Sequence, residues 1–383
     1  MEEFEGESPI LLIGSNIRFL AENAVRHGHE VATVDYFGDR DTKKLCPNKS
    51  SKRDGDGSFD LNALISLAYS FENSGIVYGP GFENDIFALK KLGDVGQVYG
   101  CSVESVRKSR DPETLARAAR SWNFKYPPIR YEKNESMENG KWLAKTFSGM
   151  GGVGVQFVDK DYEPDEEGVY YQAHVDGLAS SAIVVSNGSE ASVLGIMTQI
   201  IGDETFGGDG FRYVGNIFPH PFAKEATAQV TAIADSLTLE LDLKGLWGFD
   251  FIYNGEVTLV EVNPRPTAGL EAISMGTWND LLGMHLDSVK GKYSNLIIDP
   301  GPQGQYFAQA RVFAKEDVVF TGWERWYENG ARDVPYDGEI ILAGEPVLTV
   351  HASDTSYGEA LIKLRHEAAL VYSSLAPAVA PSI

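Results

Sequence analysis

The chain has 383 residues, 43% of them hydrophobic and 23% charged, enough to bury a large core in two or three domains and too apolar to be mainly disordered. A formal net charge of -22 and a pI near 4.7 repel phosphate backbones and anionic bilayers, which excludes nucleic acid and membrane surfaces as bulk partners. Cys46 and Cys101 alone make neither a disulfide framework nor a metal cluster; with an acidic start at Glu2, Glu3 and Glu5 and no apolar run near ~20 residues, a cytoplasmic setting is expected.

In chain order, Pro9 to Gly14 reads as a buried strand, Ile17 to His27 as a helix stopped by Gly28, and Glu30 to Asp35 as a second strand. Leu61 to Phe71 adds a helix and Gly75 to Gly79 another strand, so the opening 100 residues predict a Rossmann-like half-domain with a parallel sheet. Asp35 stands about 20 residues beyond Gly14, as in dinucleotide sites, but Gly14 is followed by Ser15-Asn16-Ile17-Arg18 and the glycine fingerprint is missing. The loop Gly79-Pro80-Gly81-Phe82-Glu83 follows a strand at the end where open α/β sheets gather ligands, so Glu83 is a candidate substrate contact. It is equally explained as a turn that starts the next helix.

Asp111-Pro112-Glu113 starts a helix that runs to Trp122, just after Lys108. Short β-rich runs then extend from Trp142 to Asn263, with turn signals at Asn187-Gly188 and Asn254-Gly255. Helical spacing returns in Ala223 to Leu241 and Trp278 to Val289; β-rich stretches at Ala308 to Phe313, Glu339 to Leu342 and Pro346 to Val350 precede a helix from Tyr357 to Ser373. The tail from Ala376 to Pro381 is expected to be loose.

The segment Asp250 to Asn263 reads as a hairpin closed by a two-residue Asn254-Gly255 turn. With Tyr253 opposite Glu256, Asp250 lies opposite Leu259 and diagonal to Glu261, and the period of two puts Leu259, Glu261 and Asn263 on the face of Asp250. Two carboxylates and an amide on one face suit Mg2+, which takes a few protein oxygens and completes its shell with phosphates and water; Mn2+ is an admissible substitute. Pro264 and Pro266 fix Arg265 beside that face, where a guanidinium suits a phosphoryl or carboxylate oxygen. Upstream, the strand-like Trp142 to Thr146 carries Lys145 into Ser148-Gly149-Met150-Gly151-Gly152-Val153-Gly154, whose backbone N–H groups can close over phosphates. Lys145 precedes the glycines, so this is neither a P-loop nor a Rossmann turn.

Lys145 with its glycine loop, Tyr170 to Gly177, Asp250 and the Glu261-Val262-Asn263-Pro264-Arg265 run together resemble the ATP-grasp superfamily over roughly residues 100 to 290. The resemblance implies a mixed α/β and α+β fold: a Rossmann-like domain over residues 1–100, an ATP-grasp domain over 101–290 with two β-rich subdomains and a lid at about 125–175, and a C-terminal β-rich segment with a terminal helix over 291–383. It implies ATP as cofactor, with Lys108 and Lys145 on phosphates and Ser148, Gly149, Gly151, Gly152 and Gly154 in the mobile lid. Gln172, Ala173, Val175 and Asp176 would frame the adenosine, and Asp250, Glu261 and Asn263 would hold the metal. Two positions depart from the pattern: Gln172 stands where a Glu is frequent, and Ala179 where an acid binds ribose, which leaves Asp176 as a substitute. Arg212, Arg265 and Glu83 would face the substrate, and Lys145 and Arg265 would carry the catalytic charge.

The activity implied is that of a carboxylate-amine ligase, with a small-molecule acid and amine as partners; the tyramine-glutamate ligase group of methanofuran type is the subgroup the chain resembles most, suggesting glutamate and an aromatic amine or amino acid. Competing readings are a bicarbonate-activating carboxylase and a silent nucleotide-binding regulatory module. A homodimer is carried as the expected assembly.

Overall fold

The computed structural model describes residues 8–134, 137, 139–159, 162–163, 168–293 and 298–378. Alternation of apolar strands with helices in the first hundred residues produces a parallel sheet: β1 (Ile10–Ile13), β2 (Val31–Asp35), β3 (Asn48–Ser50) and β4 (Gly75–Tyr78), in the order β3-β2-β1-β4. β1, β2 and β4 are almost wholly buried, as the run of Leu, Ile and Val requires of a parallel sheet covered on both faces. The helix after β1 spans Arg18–Arg26, and Asp35 ends β2 by accepting a hydrogen bond from the Gly38 N–H at 2.7 Å.

Two helices the periodicity did not single out, Ile86–Val95 and Val103–Ser109, lead to the expected Pro112–Trp122, capped by the Asp111 carboxylate on the N–H groups of Glu113 and Thr114. The chain then makes an antiparallel sheet of β5 (Ile129–Arg130), β6 (Asn139–Thr146), β7 (Gln156–Asp159) and β8 (Val169–Ala173), ordered β5-β8-β6-β7. The glycine loop is the connection between β6 and β7.

A seven-stranded antiparallel sheet forms the centre of the molecule. It begins with β9 (Leu178–Asn187), β10 (Ala191–Ile201), β11 (Tyr213–Phe218), β12 (Lys244–Tyr253), β13 (Val257–Asn263) and β14 (Tyr306–Phe313). The chain makes the short β15 (Val318–Val319) and β16 (Ile340–Ile341), returns to the large sheet as β17 (Pro346–Asp354), and ends the described part with β18 (Ala376–Pro377). The order β13-β12-β9-β10-β11-β14-β17 means that strands beyond residue 291 extend the central sheet by pairing β14 with β11. The tail differs from expectation: Ala376 and Pro377 pair with β15, and the Ala378 N–H donates to Asp317 O at 2.8 Å; residues 379–383 lie outside the described residues.

One face of the large sheet, with Ala182, Val184, Phe249, Phe251 and Leu259, packs on the helix Ala223–Leu241. The other face is divided. Ile183, Val185, Met197 and Leu246 bury against the helices Leu270–Gly276 and Leu281–Val289, while Ser181, Gln199, Asn216 and Asp250 line a cavity. Among the described residues no helix is long and apolar enough to cross a membrane.

The first sheet and the C-terminal part are bolted together by buried Arg18. Its guanidinium donates to Glu22 at 2.9 Å, Asp333 at 2.8 Å and Glu271 at 2.6 Å, while Asp41 accepts from the N–H groups of Asp333 and Val334.

Candidate active site

A cavity of about 700 Å³ lies under the glycine loop, between the small antiparallel sheet and the large one. The hairpin that carries its acidic wall corrects the expected register. Tyr253 pairs with Val257, so three residues, Asn254, Gly255 and Glu256, form the connection in place of a two-residue turn. A bulge then falls between Leu259 and Glu261, so Asp250 pairs with Glu261 and Gly248 with Asn263. Each one-residue shift alone would move the carboxylates to opposite faces; together they restore a common face and put Asp250 directly across from Glu261. Leu259 lies before the second shift, pairs with Phe251, and joins the apolar core, contrary to its expected place beside Glu261.

Asp250 accepts from Gln199 Nε2 at 2.9 Å and from Asn263 Nδ2 at 3.3 Å. Burial, then the adjacent Glu261 charge, push its carboxyl up to about 7. Burial also raises Glu261, but Arg110, Lys145 and Arg265 outweigh it and hold that carboxylate below its ordinary value. A cation between the two would relieve the repulsion that raises Asp250, so the donor set fits a divalent oxygen-loving metal. Among the described residues no group of three or more His, Cys, Asp or Glu could hold a metal ion, so Asn263 and exogenous oxygens would complete the shell.

Lys145 reaches the cavity from β6, and its Nζ donates to Gln172 Oε1 at 3.2 Å. Gly149, Gly151 and Gly152 roof the space, whereas Ser148 and Gly154 do not line it. Gly152 has φ 76°, and a Cβ there would stand 1.8 Å from Phe211 O; Gly151 O accepts from the Tyr213 N–H at 2.9 Å. Only glycine permits this docking of the loop on the start of β11. Ala173, Val175 and Asp176 line the far wall with Ala179, but the Asp176 side chain is fully exposed.

Lys108 sits on a helix that does not bring it to the cavity. Val103–Ser109 is a regular helix, and Lys108 does not line the cavity; Arg110, at the position that caps the helix, turns inward instead. Arg110 donates through Nη1 to Glu261 Oε1, and through Nη2 to Asn84 Oδ1 at 3.1 Å and to the carbonyls of Phe147 at 3.1 Å and Gly149 at 2.9 Å. The only sequence signal for it was a second cation two residues beyond Lys108.

Arg265 and Glu83, expected as separate substrate contacts, form a buried pair at 2.6 Å, and the other Glu83 oxygen accepts from the Gly81 N–H at 2.7 Å. Both line the cavity, with Glu83 fixing the guanidinium. Arg212 lines it too, held by Asp209 at 3.0 Å, by the Gly344 carbonyl at 2.9 Å and over the Phe313 ring at 5.0 Å. Sequence reading missed Gln309 and Arg311, which share a face of β14. Gln309 donates to Tyr213 Oη at 3.1 Å, and Arg311 lines the cavity with no hydrogen-bond or ion-pair partner among the described residues. Polar residues alternating with Ala308, Ala310 and Val312 were the signal that could have found them.

A metal-fitting carboxylate pair under a glycine roof, with a strand-borne lysine beside it, is the arrangement expected of an ATP-grasp domain. Residues 110–269 match the model of the ATP-grasp domain, and the chain carries that domain. In sequence it is 26% identical over 258 residues to the carbamoyl phosphate synthase large chain of Clostridium acetobutylicum, covering 61% of this chain and 24% of that one. It is 30% identical over 164 residues to the formate-dependent phosphoribosylglycinamide formyltransferase of Variovorax paradoxus, covering 39% of this chain and 38% of that one. The chain thus spans well under half the length of these curated relatives. In structure it resembles an N5-carboxyaminoimidazole ribonucleotide synthetase solved with ADP, at TM-score 0.69 and 16% identity over 96% of this chain and 97% of that one. Biotin carboxylase from Campylobacter jejuni gives TM-score 0.68 and 14% identity over 97% and 92%.

Proposed function

We propose that the chain is an ATP-dependent ligase that activates a substrate carboxylate as an acyl phosphate and joins it to an amine, releasing ADP and phosphate. The observation that carries this reading is the pairing of Asp250 with Glu261 beside Lys145, beneath a loop that closes the cavity. Mg2+ held by Asp250, Glu261 and Asn263 would neutralise the triphosphate. Lys145 and Arg110 add positive charge on the nucleotide side, and Ala173, Val175 and the other hinge residues bound the adenosine. In the first step a carboxylate oxygen attacks the γ-phosphorus and the bond to the ADP oxygen breaks. In the second the amine nitrogen attacks the acyl carbon, phosphate leaves, and the amine proton passes to solvent. The docked glycine loop keeps water from the acyl phosphate.

No side-chain nucleophile is needed. Ser180 and His220 lie 3.1 Å apart, but His220 accepts from the Phe222 N–H, and neither lines the cavity.

Five cationic side chains line the cavity: Arg110, Lys145, Arg212, Arg265 and Arg311. Arg110, Arg212 and Arg265 are ion-paired with Glu261, Asp209 and Glu83. Arg311 is thus the one arginine of the cavity with no ion pair among the described residues, and suits one carboxylate of the acid substrate. Glutamate with an aromatic amine or amino acid is the first pair to try. Bicarbonate is the second reading, favoured by the structural likeness to biotin carboxylase. The regulatory reading is opposed by the assembled Lys145, Asp250, Glu261 and Asn263.

The test is to incubate the protein with Mg-ATP, a pool of acids and a pool of amines, and to identify the products. ADP and phosphate formed only with an acid support the ligase, and bicarbonate-dependent ADP supports the carboxylase. AMP with pyrophosphate overturns acyl-phosphate chemistry.

A further inference from the structure

Arg110 joins three parts of the molecule through one guanidinium. It pairs with Glu261 on β13, donates to Asn84 in the turn after β4, and holds the Phe147 and Gly149 carbonyls at the root of the glycine loop. The far side of the loop is docked independently, through Gly151 O on the Tyr213 N–H and the close approach of Gly152 to Phe211 O. The loop is thus closed in a state where the charge partner of Arg110 is Glu261, the same carboxylate that fits the metal.

A divalent cation and a guanidinium compete for that carboxylate. Arg110 has a side-chain exposure of only 13%, so it cannot simply swing into bulk water while keeping its other bonds. Losing Glu261 would leave a buried charge held by one amide and two carbonyls, a poor set of partners for a guanidinium. We infer that Arg110 is a latch that couples metal occupancy to the glycine loop: a divalent cation alone at Glu261 unfastens the loop, and cation plus nucleotide refastens it, because the polyphosphate supplies Arg110 with a replacement anion. This rests on the metal reading of Asp250 and Glu261, and it orders the cycle so that the roof opens when metal arrives and shuts when nucleotide follows. Arg110 is then a positioning residue for the loop as well as a charge in the cavity.

The Tyr213 amide reports docking directly, since its hydrogen goes to Gly151 O at 2.9 Å. Hydrogen exchange of this amide and of the loop is measured on the full chain in three states: metal-free, with Mg2+, and with Mg2+ and ADP. Binding of Mn2+ without nucleotide is followed in parallel by electron paramagnetic resonance. Expected is a rise in exchange of about tenfold with Mg2+ alone and its reversal on adding ADP. Arg110→Gln should exchange fast without metal, show no further rise with Mg2+, and bind Mn2+ more tightly than the wild type. Gly152→Ala, which cannot dock on β11, sets the exchange of an open loop and should bind Mn2+ at least as tightly as the wild type, because the metal no longer has to undock the loop. Mn2+ binding with no change in wild-type exchange overturns the latch and leaves the metal site standing, as does Arg110→Gln binding Mn2+ no better. Absence of Mn2+ binding in both proteins overturns the metal reading and the latch with it.

Discussion

Asp250 and Glu261 face each other with different partners, Gln199 and Asn263 for the first and Arg110 for the second. Glu261→Gln keeps the shape and the hydrogen-bond reach to Arg110 but removes the charge that the metal and the guanidinium share. Turnover, read as acid-dependent ADP formation, is expected to fall by about 10²–10³-fold with the fold intact; activity near the wild-type level would remove Glu261 from the metal site. Asp35 makes a prediction at the same scale but far from this chemistry. Burial pushes its carboxyl up to about 7, above the 3.8 of an ordinary aspartate, so the folded chain holds a proton there that the unfolded chain releases. Its contribution to stability is therefore full below pH ~4 and is lost as pH rises towards 7. Asp35→Asn removes that loss and keeps an amide oxygen to accept from the Gly38 N–H. Urea unfolding at pH 5 and pH 8 should show the variant gaining roughly 1–3 kcal/mol on the wild type at the higher pH relative to the lower. An equal difference at both would contradict the assignment.

At the scale of elements, the glycine loop and the β12–β13 hairpin decide the site. A methyl at position 152 would meet Phe211 O and strain a positive φ, so Gly152→Ala should hold the loop off β11. A rise in KM for ATP of about tenfold or more is expected, with a lower kcat, because the roof no longer seals the cavity; unchanged kinetics would show that docking is not used. The hairpin also shows what was legible in the chain. Period-two alternation placed Asp250, Glu261 and Asn263 on one face, and that grouping held. The turn length and the bulge did not show, because the Asn254-Gly255 pair suits two-residue and longer loops alike, and Val260 carries no mark of being the extra residue. Two errors of one residue cancelled for the carboxylates and failed for Leu259. Arg110 in place of Lys108 at the cavity has a similar reason: a cation near a helix end is easily seen, but which residue turns inward depends on where the helix stops.

At the scale of the whole molecule, the site depends on three sheets meeting, and contacts between them were the least legible part of the chain. Nothing local to Glu83 or Arg265 says that they pair across 182 positions, and Arg311 is an unremarked polar residue in a strand until β14 is seen to join the central sheet. The same holds for Arg18, whose guanidinium serves Glu22, Glu271 and Asp333 from a fully buried position. Arg18→Met leaves Asp333 with neutral donors such as Asn16 alone, while Glu22 keeps Arg332 and Glu271 keeps His351, between the first sheet and the C-terminal strands. A loss of about 3–5 kcal/mol is expected in denaturant unfolding; a loss below about 1 kcal/mol would mean that the parts are held by packing alone.

The most direct measurement follows the oxygen atoms. Wild-type protein is given Mg-ATP, amines and a pool of carboxylic acids labelled with oxygen-18, and the released phosphate is analysed by mass spectrometry. An acyl phosphate transfers a carboxylate oxygen to phosphorus, so labelled inorganic phosphate is expected, absent in Glu261→Gln. Label found only in AMP, or phosphate released without label while product forms, would contradict activation of a carboxylate at the γ-phosphate.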